Sequence, residues 1–206
     1  HLSLDSSGRL LSAALGLLCI FPSLALMRLF RISQGGRAMF ALLYFTSSIY
    51  LYWNRAFMIE TTALLFTLLT LYLYSYSRFN SLGLGERWAR SIFVYFLFFT
   101  CLSAALLSKV TTALPAALLI CIDLILRIMS LRSMDNSDFK YRAKSIFFAG
   151  FIVLGSVLIC KAWINHADHL KSLNSIAKYL TSDSLKSWNF GTLSQRISKD
   201  LWLGVI

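Results

Sequence analysis

Charged residues are scarce in this sequence. Asp, Glu, Lys and Arg together make up 14% of its 206 residues, whereas an average soluble domain contains about 25%. Hydrophobic residues account for 57%, and the mean hydropathy is +0.66. The composition therefore argues against a soluble globular protein.

Acidic residues are the scarcer of the two charged classes. Asp and Glu total 9 against 20 for Lys and Arg, which gives a net charge of +11. The basic residues occur in short clusters between long uncharged runs, and this arrangement argues against a nucleic-acid-binding module. We therefore expect no nucleic-acid partner, and the pattern indicates a chain that crosses a membrane several times.

Cysteine is also sparse, and its spacing indicates neither a disulfide framework nor a zinc site. The cysteines lie in apolar runs and form no CxxC pair; they are Cys19, Cys101, Cys121 and Cys160. His166 and His169, with Asp168 between them, could ligate a metal, but two histidines three residues apart are common without one. No metal ligand and no cofactor is assigned, although a divalent metal stays open.

The alternation of polar and apolar residues that marks the strands of an outer-membrane barrel is absent. The uncharged runs are instead close to the roughly 20 residues that a helix needs to cross a bilayer. We predict an all-α fold, a polytopic transmembrane helix bundle that forms a single domain over residues 1–206. Its about six spans lie near residues 10–27, 38–54, 61–77, 91–108, 110–129 and 145–164, with an outer loop over 165–200 and the start of a seventh span at 201–206.

The positions of Lys and Arg predict the orientation of the chain. Basic residues concentrate in every second connection between spans, and the positive-inside rule places those connections in the cytoplasm. These connections are residues 28–37, 78–90 and 127–144. The other connections hold little charge, namely Arg55 and Glu60 in one and Lys109 alone in the next. They are predicted to be extracytoplasmic, together with the loop over 165–200.

One acidic residue, Asp123, falls inside a predicted span. Arg127 follows it by four residues, so both side chains share a helix face near the cytoplasmic end of that span. We expect a local ion pair that eases insertion rather than a proton relay.

The outer loop has the most mixed composition of the predicted connections. It contains Trp188, Asn189 and Arg196, residue types that stack on a sugar face, bond to hydroxyl groups and form paired bonds to phosphate. The same residue types also occur in a solvated amphipathic cap, in which Trp188 would anchor the loop at the interface. Both interpretations stay open, because the spacing defines no catalytic set.

Four segments together resemble a known family. They are a first span that opens RLLSAALGLL, an outer turn WNRAFMIETTALLF, a second turn LLSKVTTALPAALL and a loop that ends WNFGTLSQR. In this order they resemble bacterial protein-O-mannosyltransferase-like glycosyltransferases of the C-type superfamily, which also includes the lipid A aminoarabinose transferases. The resemblance extends over nearly the whole chain.

The resemblance implies a multi-pass enzyme of the bacterial inner (cytoplasmic) membrane that acts in the cell envelope. Such an enzyme moves a sugar from a polyprenyl-phosphate donor to a lipid, glycan or protein acceptor on the extracytoplasmic face. The family's main catalytic acid lies in a first outer loop that we expect upstream of His1, so its role is not assigned to Asp5. We accordingly expect an internal fragment that is inactive alone.

Three residues in the predicted outer turns have chemistry that suits this reaction. Departure of the lipid phosphate develops negative charge, which Lys109 or Arg55 would stabilise. Glu60 is the candidate for a supporting role in deprotonating the acceptor hydroxyl. Each residue would alternatively act as an interfacial anchor or in an ion pair such as Arg55 with Glu60.

Two other functional classes fit the same sequence. A transporter or flippase of a lipid-linked glycan would place polar residues along an inner pathway, where Asp123 is the main candidate. A non-enzymatic membrane assembly subunit would use the outer loop for docking. Sugar transfer from a polyprenyl-phosphate donor separates the enzyme from both.

Overall fold

The computed structural model describes residues 4–47, 59–79, 88–131 and 136–173. Within these ranges the chain forms seven α-helices and no strand, so the all-α prediction is confirmed. The helices are α1 Leu4–Leu18, α2 Ile20–Leu29, α3 Gln34–Thr46, α4 Ile59–Phe79, α5 Trp88–Ser108, α6 Val110–Ser130 and α7 Asn136–Ser172. The chain divides into two compact units, residues 1–160 and 161–206, and the predicted single domain stays a prediction.

Four helical segments in the described ranges are long and apolar enough to cross a membrane. They are Ser6–Leu29, Arg90–Ser108, Val110–Ser130 and Arg142–Ser172, and they coincide with four of the predicted spans. Many of their large apolar side chains are exposed, as expected for surfaces that contact lipid; Phe147, for example, is 69% exposed. The protein is therefore described as a membrane protein by the length and composition of its helices.

The predicted count of about six spans is not confirmed. Helix α3 contains 13 residues, and the remainder of the predicted span over 38–54 lies mostly outside the described residues. Helix α4 is 21 residues long, but its threonine, serine and tyrosine residues lower its hydropathy, and it is not among the four segments. The seventh span at 201–206 lies outside the described residues, while α7 continues to Ser172, past the predicted span end at 164.

Helix α4 lies against α1, α2, α5 and α6, which explains how a more polar helix fits this bundle. Two of its buried hydroxyl groups are satisfied within the helix. Thr67 Oγ1 donates to the carbonyl of Ala63, and Thr70 Oγ1 donates to the carbonyl of Phe66, each at 2.7 Å. Such local bonds remove most of the cost of burying a hydroxyl group in an apolar environment.

The first membrane-crossing segment is interrupted at Cys19, between α1 and α2. Pro22 follows in the first turn of α2, where a proline is tolerated because the N–H that it lacks would have no partner within that helix. The Tyr44 hydroxyl of α3 donates to the Gly16 carbonyl at 2.5 Å, and so gives this carbonyl a polar partner at the end of α1. A side chain of a neighbouring helix thus accommodates the interruption.

Helix α7 packs along α5 through polar and aromatic contacts. Ser103 Oγ donates to Ser156 Oγ at 3.1 Å in a fully buried position. Nearer the other end of α5, the hydroxyl groups of Tyr95 and Ser145 are 3.2 Å apart, and the Tyr95 ring stacks on Phe148 with centroids 5.7 Å apart. Small polar residues let two apolar helices approach closely and hold their register.

Candidate functional site

Lys109 is the single residue between α5 and α6 and adopts an extended backbone, with φ −161° and ψ 106°. Its N–H bonds to the Ala105 carbonyl at 3.0 Å, which ends α5, and its own carbonyl accepts the N–H of Ala113 at 3.2 Å, which starts α6. This one-residue turn fixes the position of the Lys109 backbone. The side chain therefore projects from a defined point at one end of the bundle.

Glu60 lies in the first turn of α4 and pairs with Lys109. The Lys109 ammonium donates a hydrogen bond to Glu60 Oε1, and the two side chains are 39% and 46% exposed. The next residue, Thr61, shares a buried hydrogen bond of 3.1 Å with Ser12, which ties the start of α4 to α1. The pair thus lies at an end of the bundle where α1 and α4 are in contact. We name it the Lys109 end.

The contact with Lys109 lowers the pKa of the Glu60 carboxyl below its ordinary value of 4.5, and a hydrogen bond to its own backbone N–H lowers it further. Glu60 is therefore ionised at neutral pH. A general base works best when its pKa is near the working pH, and the contact with Lys109 moves the pKa of Glu60 away from that range. Its geometry suits a residue that orients the Lys109 ammonium.

A second polar contact joins the same two helices at the opposite end, which we name the Asp123 end. Tyr74 of α4 donates to Asp123 Oδ2 at 2.5 Å, and Arg78 Nη1 lies 2.8 Å from Asp123 Oδ1. The partner of Asp123 is thus Arg78 of a neighbouring helix, rather than Arg127 as expected from the sequence. A residue four positions away on one helix competes poorly when another helix presents a guanidinium and a hydroxyl to both carboxylate oxygens.

The two contacts define the register of α4 and α6. Glu60 and Tyr74 are 14 residues apart, as are Lys109 and Asp123. A separation of 14 residues is close to four helical turns and corresponds to roughly 21 Å of rise, so both contacts fall on one face. The two helices therefore run in the same direction, and α5 returns between them.

The Lys109 end has the chemistry to bind an anionic group. An ammonium group has three donor hydrogens, so Lys109 can hold Glu60 with one and offer the others to a phosphate. The neighbouring carboxylate keeps Lys109 from being an unpaired charge when no ligand is bound. The half-exposed position also leaves the ammonium accessible.

The described residues contain no group of three or more His, Cys, Asp or Glu side chains placed to hold a metal ion. In the second unit, Asp168 lies 3.9 Å from Lys171, and the His166 ring is 6.0 Å from the Trp163 ring. Asp168 and His166 thus make these contacts with other residues of α7.

The structure brings together two of the predicted site residues, Glu60 and Lys109. The other four, Arg55, Trp188, Asn189 and Arg196, lie outside the described residues. In the sequence, Arg78 falls in a basic connection that indicates topology, and no local pattern links Tyr74 or Arg78 with Asp123. The 14-residue spacing from Glu60 to Tyr74 equals that from Lys109 to Asp123. This equality predicts the contact of Tyr74 with Asp123 only when α4 and α6 are known to run parallel.

Comparison of the chain with protein-family models, with curated proteins and with solved structures gave no match.

Proposed function

We propose that this chain belongs to a membrane glycosyltransferase that moves a sugar from a polyprenyl-phosphate donor to a lipid, glycan or protein acceptor. Three features support the proposal. The helices are apolar enough to cross a membrane, the outer-turn segments resemble those of C-type glycosyltransferases, and a cation projects from one of these turns. The distribution of Lys and Arg supports a site on the extracytoplasmic face, and the resemblance supports the bacterial inner membrane.

The observation that carries the proposal is the Lys109 and Glu60 pair on the one-residue turn. In the proposed reaction the bond between the sugar and the lipid phosphate breaks, and the phosphate gains negative charge. A fixed ammonium stabilises this charge more than it stabilises the ground state, which lowers the barrier. The donor is anchored in the bilayer, so its phosphate lies at the depth where a helix end presents Lys109.

Glu60 is assigned a positioning role in this mechanism. It holds the ammonium toward the end of the bundle and shares it with the donor phosphate. Arg55, Trp188, Asn189 and Arg196 are proposed to complete the donor site, with the two arginines on phosphate, the asparagine on sugar hydroxyl groups and the tryptophan on a sugar face. Trp188→Ala and Arg196→Ala would then weaken donor binding and slow turnover, whereas a loop that is only a cap would leave both unchanged.

The activity is tested with membranes that contain the full-length protein and a radiolabelled polyprenyl-phosphate sugar, because the chain by itself is expected to be inactive. We expect transfer of the label to an acceptor fraction, and a large decrease in transfer for Lys109→Gln. Lys161→Gln is the matched control, because it removes the same charge from an exposed position in α7. Absence of transfer with every acceptor class, at confirmed folded protein levels, would contradict the proposal.

A flippase of the lipid-linked glycan is the second candidate, and Asp123 is the observation that favours it. An intramembrane carboxylate often belongs to a transport pathway. Here both carboxylate oxygens have protein partners, Tyr74 and Arg78, which also supports a structural role. A fluorescent lipid-linked sugar that changes leaflet without losing its sugar would identify the flippase, and neither transfer nor flipping would identify an assembly subunit.

A further inference from the structure

We infer that the Asp123 end of the bundle binds the headgroup of an anionic phospholipid. The sugar-transfer proposal concerns the Lys109 end, so this lipid contact is a separate property of the protein. It rests on four arginines from four helices that lie at the same end of the bundle, where Arg78 pairs with Asp123.

The four arginines are Arg28 of α2, Arg78 of α4, Arg90 of α5 and Arg127 of α6, and we name them the arginine cluster. Two contacts bring the ends of α2, α4 and α5 together. The Phe30 ring, which follows α2, meets the Phe79 ring of α4 edge-on with centroids 5.6 Å apart. The Arg90 guanidinium lies over the Tyr76 ring, 5.7 Å from its centroid, and donates to the Tyr76 hydroxyl.

Helix α6 completes the cluster. Asp123 binds Arg78 at 2.8 Å, and Arg127 follows Asp123 by one helical turn. The Tyr74 hydroxyl, which donates to Asp123, also interacts with the Arg127 side chain. One tyrosine and one aspartate thus connect the arginines of α4 and α6.

Among the side chains that the structure describes at this end of the bundle, arginines outnumber carboxylates. Among the acidic side chains that the structure describes in residues 1–160, Asp123 is the one at this end, since Glu60 lies at the Lys109 end. Both oxygens of Asp123 are already bonded. Of the cluster, Arg78 forms the ion pair with this carboxylate, and a phosphate diester would offer further negative charge through paired bonds to arginine.

Apolar side chains beside the arginines favour a lipid over free phosphate. Phe30, Phe79 and Met129 are 56%, 49% and 65% exposed, and each lies within two residues of an arginine of the cluster. An acyl chain would cover this apolar surface while the headgroup meets the guanidinium groups, whereas inorganic phosphate would leave it exposed. The combination of cation and apolar surface matches one amphipathic molecule.

The competing account is that these arginines serve only to orient the chain during insertion. Orientation requires basic residues near a span end, but it does not require a saturable ligand. Selective and saturable binding of an anionic lipid therefore separates the two accounts.

The test is native mass spectrometry of the purified protein, released from micelles and titrated with phosphatidylglycerol or with phosphatidylcholine of the same acyl chains. We expect retention of phosphatidylglycerol at concentrations at which phosphatidylcholine is lost. Each arginine near a lipid surface contributes roughly fivefold in affinity, so Arg90→Gln/Arg127→Gln should weaken phosphatidylglycerol binding by about 25-fold. Arg90→Lys/Arg127→Lys, which keeps the charge, should recover most of the loss.

Lys161→Gln serves as the matched control, since it removes one positive charge from outside the cluster and should bind phosphatidylglycerol like the wild type. Equal retention of the two lipids by the wild type would overturn the inference without any variant, so a folding defect in the double variant leaves it testable. Displacement of the lipid by excess inorganic phosphate would also overturn it, because the site would then be one for free phosphate.

Discussion

Arg78 of α4 and Asp123 of α6 form an ion pair of 2.8 Å, in which the charges stand in the reverse order from Glu60 and Lys109. Helix α4 carries Glu60 at the Lys109 end and Arg78 at the Asp123 end. Their oppositely charged partners are Lys109, just before α6, and Asp123, within α6. An antiparallel arrangement would instead place Glu60 near Asp123 and Arg78 near Lys109. The two pairs therefore favour the parallel alignment of these helices and disfavour the antiparallel one.

Asp123→Asn should destabilise the bundle, because Arg78 loses its counter-ion while the hydrogen-bonding shape is kept. The Asp123 side chain is only 19% exposed, so we expect a cost of about 1 to 3 kcal/mol in the free energy of unfolding. A double-mutant cycle with Arg78→Gln should give a coupling of roughly 0.5 to 3 kcal/mol. Unfolding in mixed micelles on titration with a denaturing detergent provides the measurement.

The control for this cycle is Tyr74→Phe, which removes one hydrogen bond to Asp123 and no charge. The exchanged pair Arg78→Asp/Asp123→Arg should recover part of the stability that either single change removes. Additive costs for Asp123→Asn and Arg78→Gln would show that the pair contributes no coupling.

The helical class and four spans could be predicted from the sequence, because a chain can cross a bilayer only as helices or as the strands of a closed barrel. The Glu60 and Lys109 site could be predicted only as two separate residues in outer turns. Their contact depends on α4 and α6 running parallel with a common register, which no local pattern encodes. In the same way, the i to i+4 spacing of Asp123 and Arg127 indicated a local pair, but the packing of α4 supplied Arg78 instead.

Helix α4 shows why the number of spans was harder to predict than the fold class. Its uncharged run from Thr61 to Ser77 resembles a span by length. Its hydroxyl-bearing residues, however, pack against neighbouring helices and bond within the helix, as Thr67 and Thr70 do. The hydropathy of a helix indicates whether its surface suits contact with lipid. It does not indicate how many other helices surround it.

Ser156 gives a test of the packing between α5 and α7. The residue is fully buried and accepts a hydrogen bond from Ser103. Ser156→Ala should cost only about 0.6 kcal/mol, the average for one interhelical hydrogen bond in a membrane. Ser156→Leu should cost about 1 to 3 kcal/mol, because the added carbon atoms force the helices apart.

Both substitutions are compared by unfolding in micelles, with Val157→Leu as a control at an exposed position of the same helix. Equal stability of Ser156→Leu and Ser156→Ala would contradict close packing of α7 on α5 at this point.

Orientation in the membrane is predicted from the alternation of basic connections. In a protein whose four cysteines are replaced, single cysteines at Gln34, Gly83 and Asn136 should react only with reagents that reach the cytoplasm. A cysteine at Asn174 should react with an impermeant reagent from the outside. Labelling of position 174 from the cytoplasm would place the Lys109 site on the wrong face for the proposed donor.

The Glu60 and Lys109 pair should make stability depend on pH in a defined direction. Because the folded state lowers the pKa of Glu60 below 4.5, the ionised carboxyl stabilises the fold above that pH. This contribution is lost as the pH falls below 4.5 and through the folded pKa. The melting temperature of the wild type should exceed that of Glu60→Gln at neutral pH, and the difference should shrink on acidification below 4.5.

Thermal unfolding of both proteins over a pH series provides this measurement, with Lys109→Gln as the reciprocal variant. That variant should lose the part of this contribution that comes from the ammonium group and keep the part that comes from the backbone hydrogen bond of Glu60. A constant difference in melting temperature between wild type and Glu60→Gln across the series would show that Glu60 titrates alike in the folded and unfolded states.

The final prediction concerns contact between Lys109 and the donor phosphate. Loss of a charge-assisted hydrogen bond costs about 1.5 to 3 kcal/mol, so Lys109→Gln should weaken donor binding by roughly tenfold to a hundredfold. Glu60→Gln keeps the ammonium but loosens its position, and it should slow turnover more than it weakens binding. Donor affinity and turnover are measured separately on matched amounts of folded protein.

An interfacial anchor predicts a different outcome for the same variants. A lysine that only reaches toward the lipid headgroups requires positive charge on a flexible stem, so its loss would reduce insertion or abundance and leave each folded molecule fully active. Lys109→Arg separates the accounts further, because an anchor tolerates it completely, whereas the larger guanidinium changes the geometry around Glu60 and the phosphate. Unchanged donor affinity in folded Lys109→Gln would exclude the phosphate role, and the Glu60 and Lys109 pair would then be a helix clamp like that of Arg78 and Asp123.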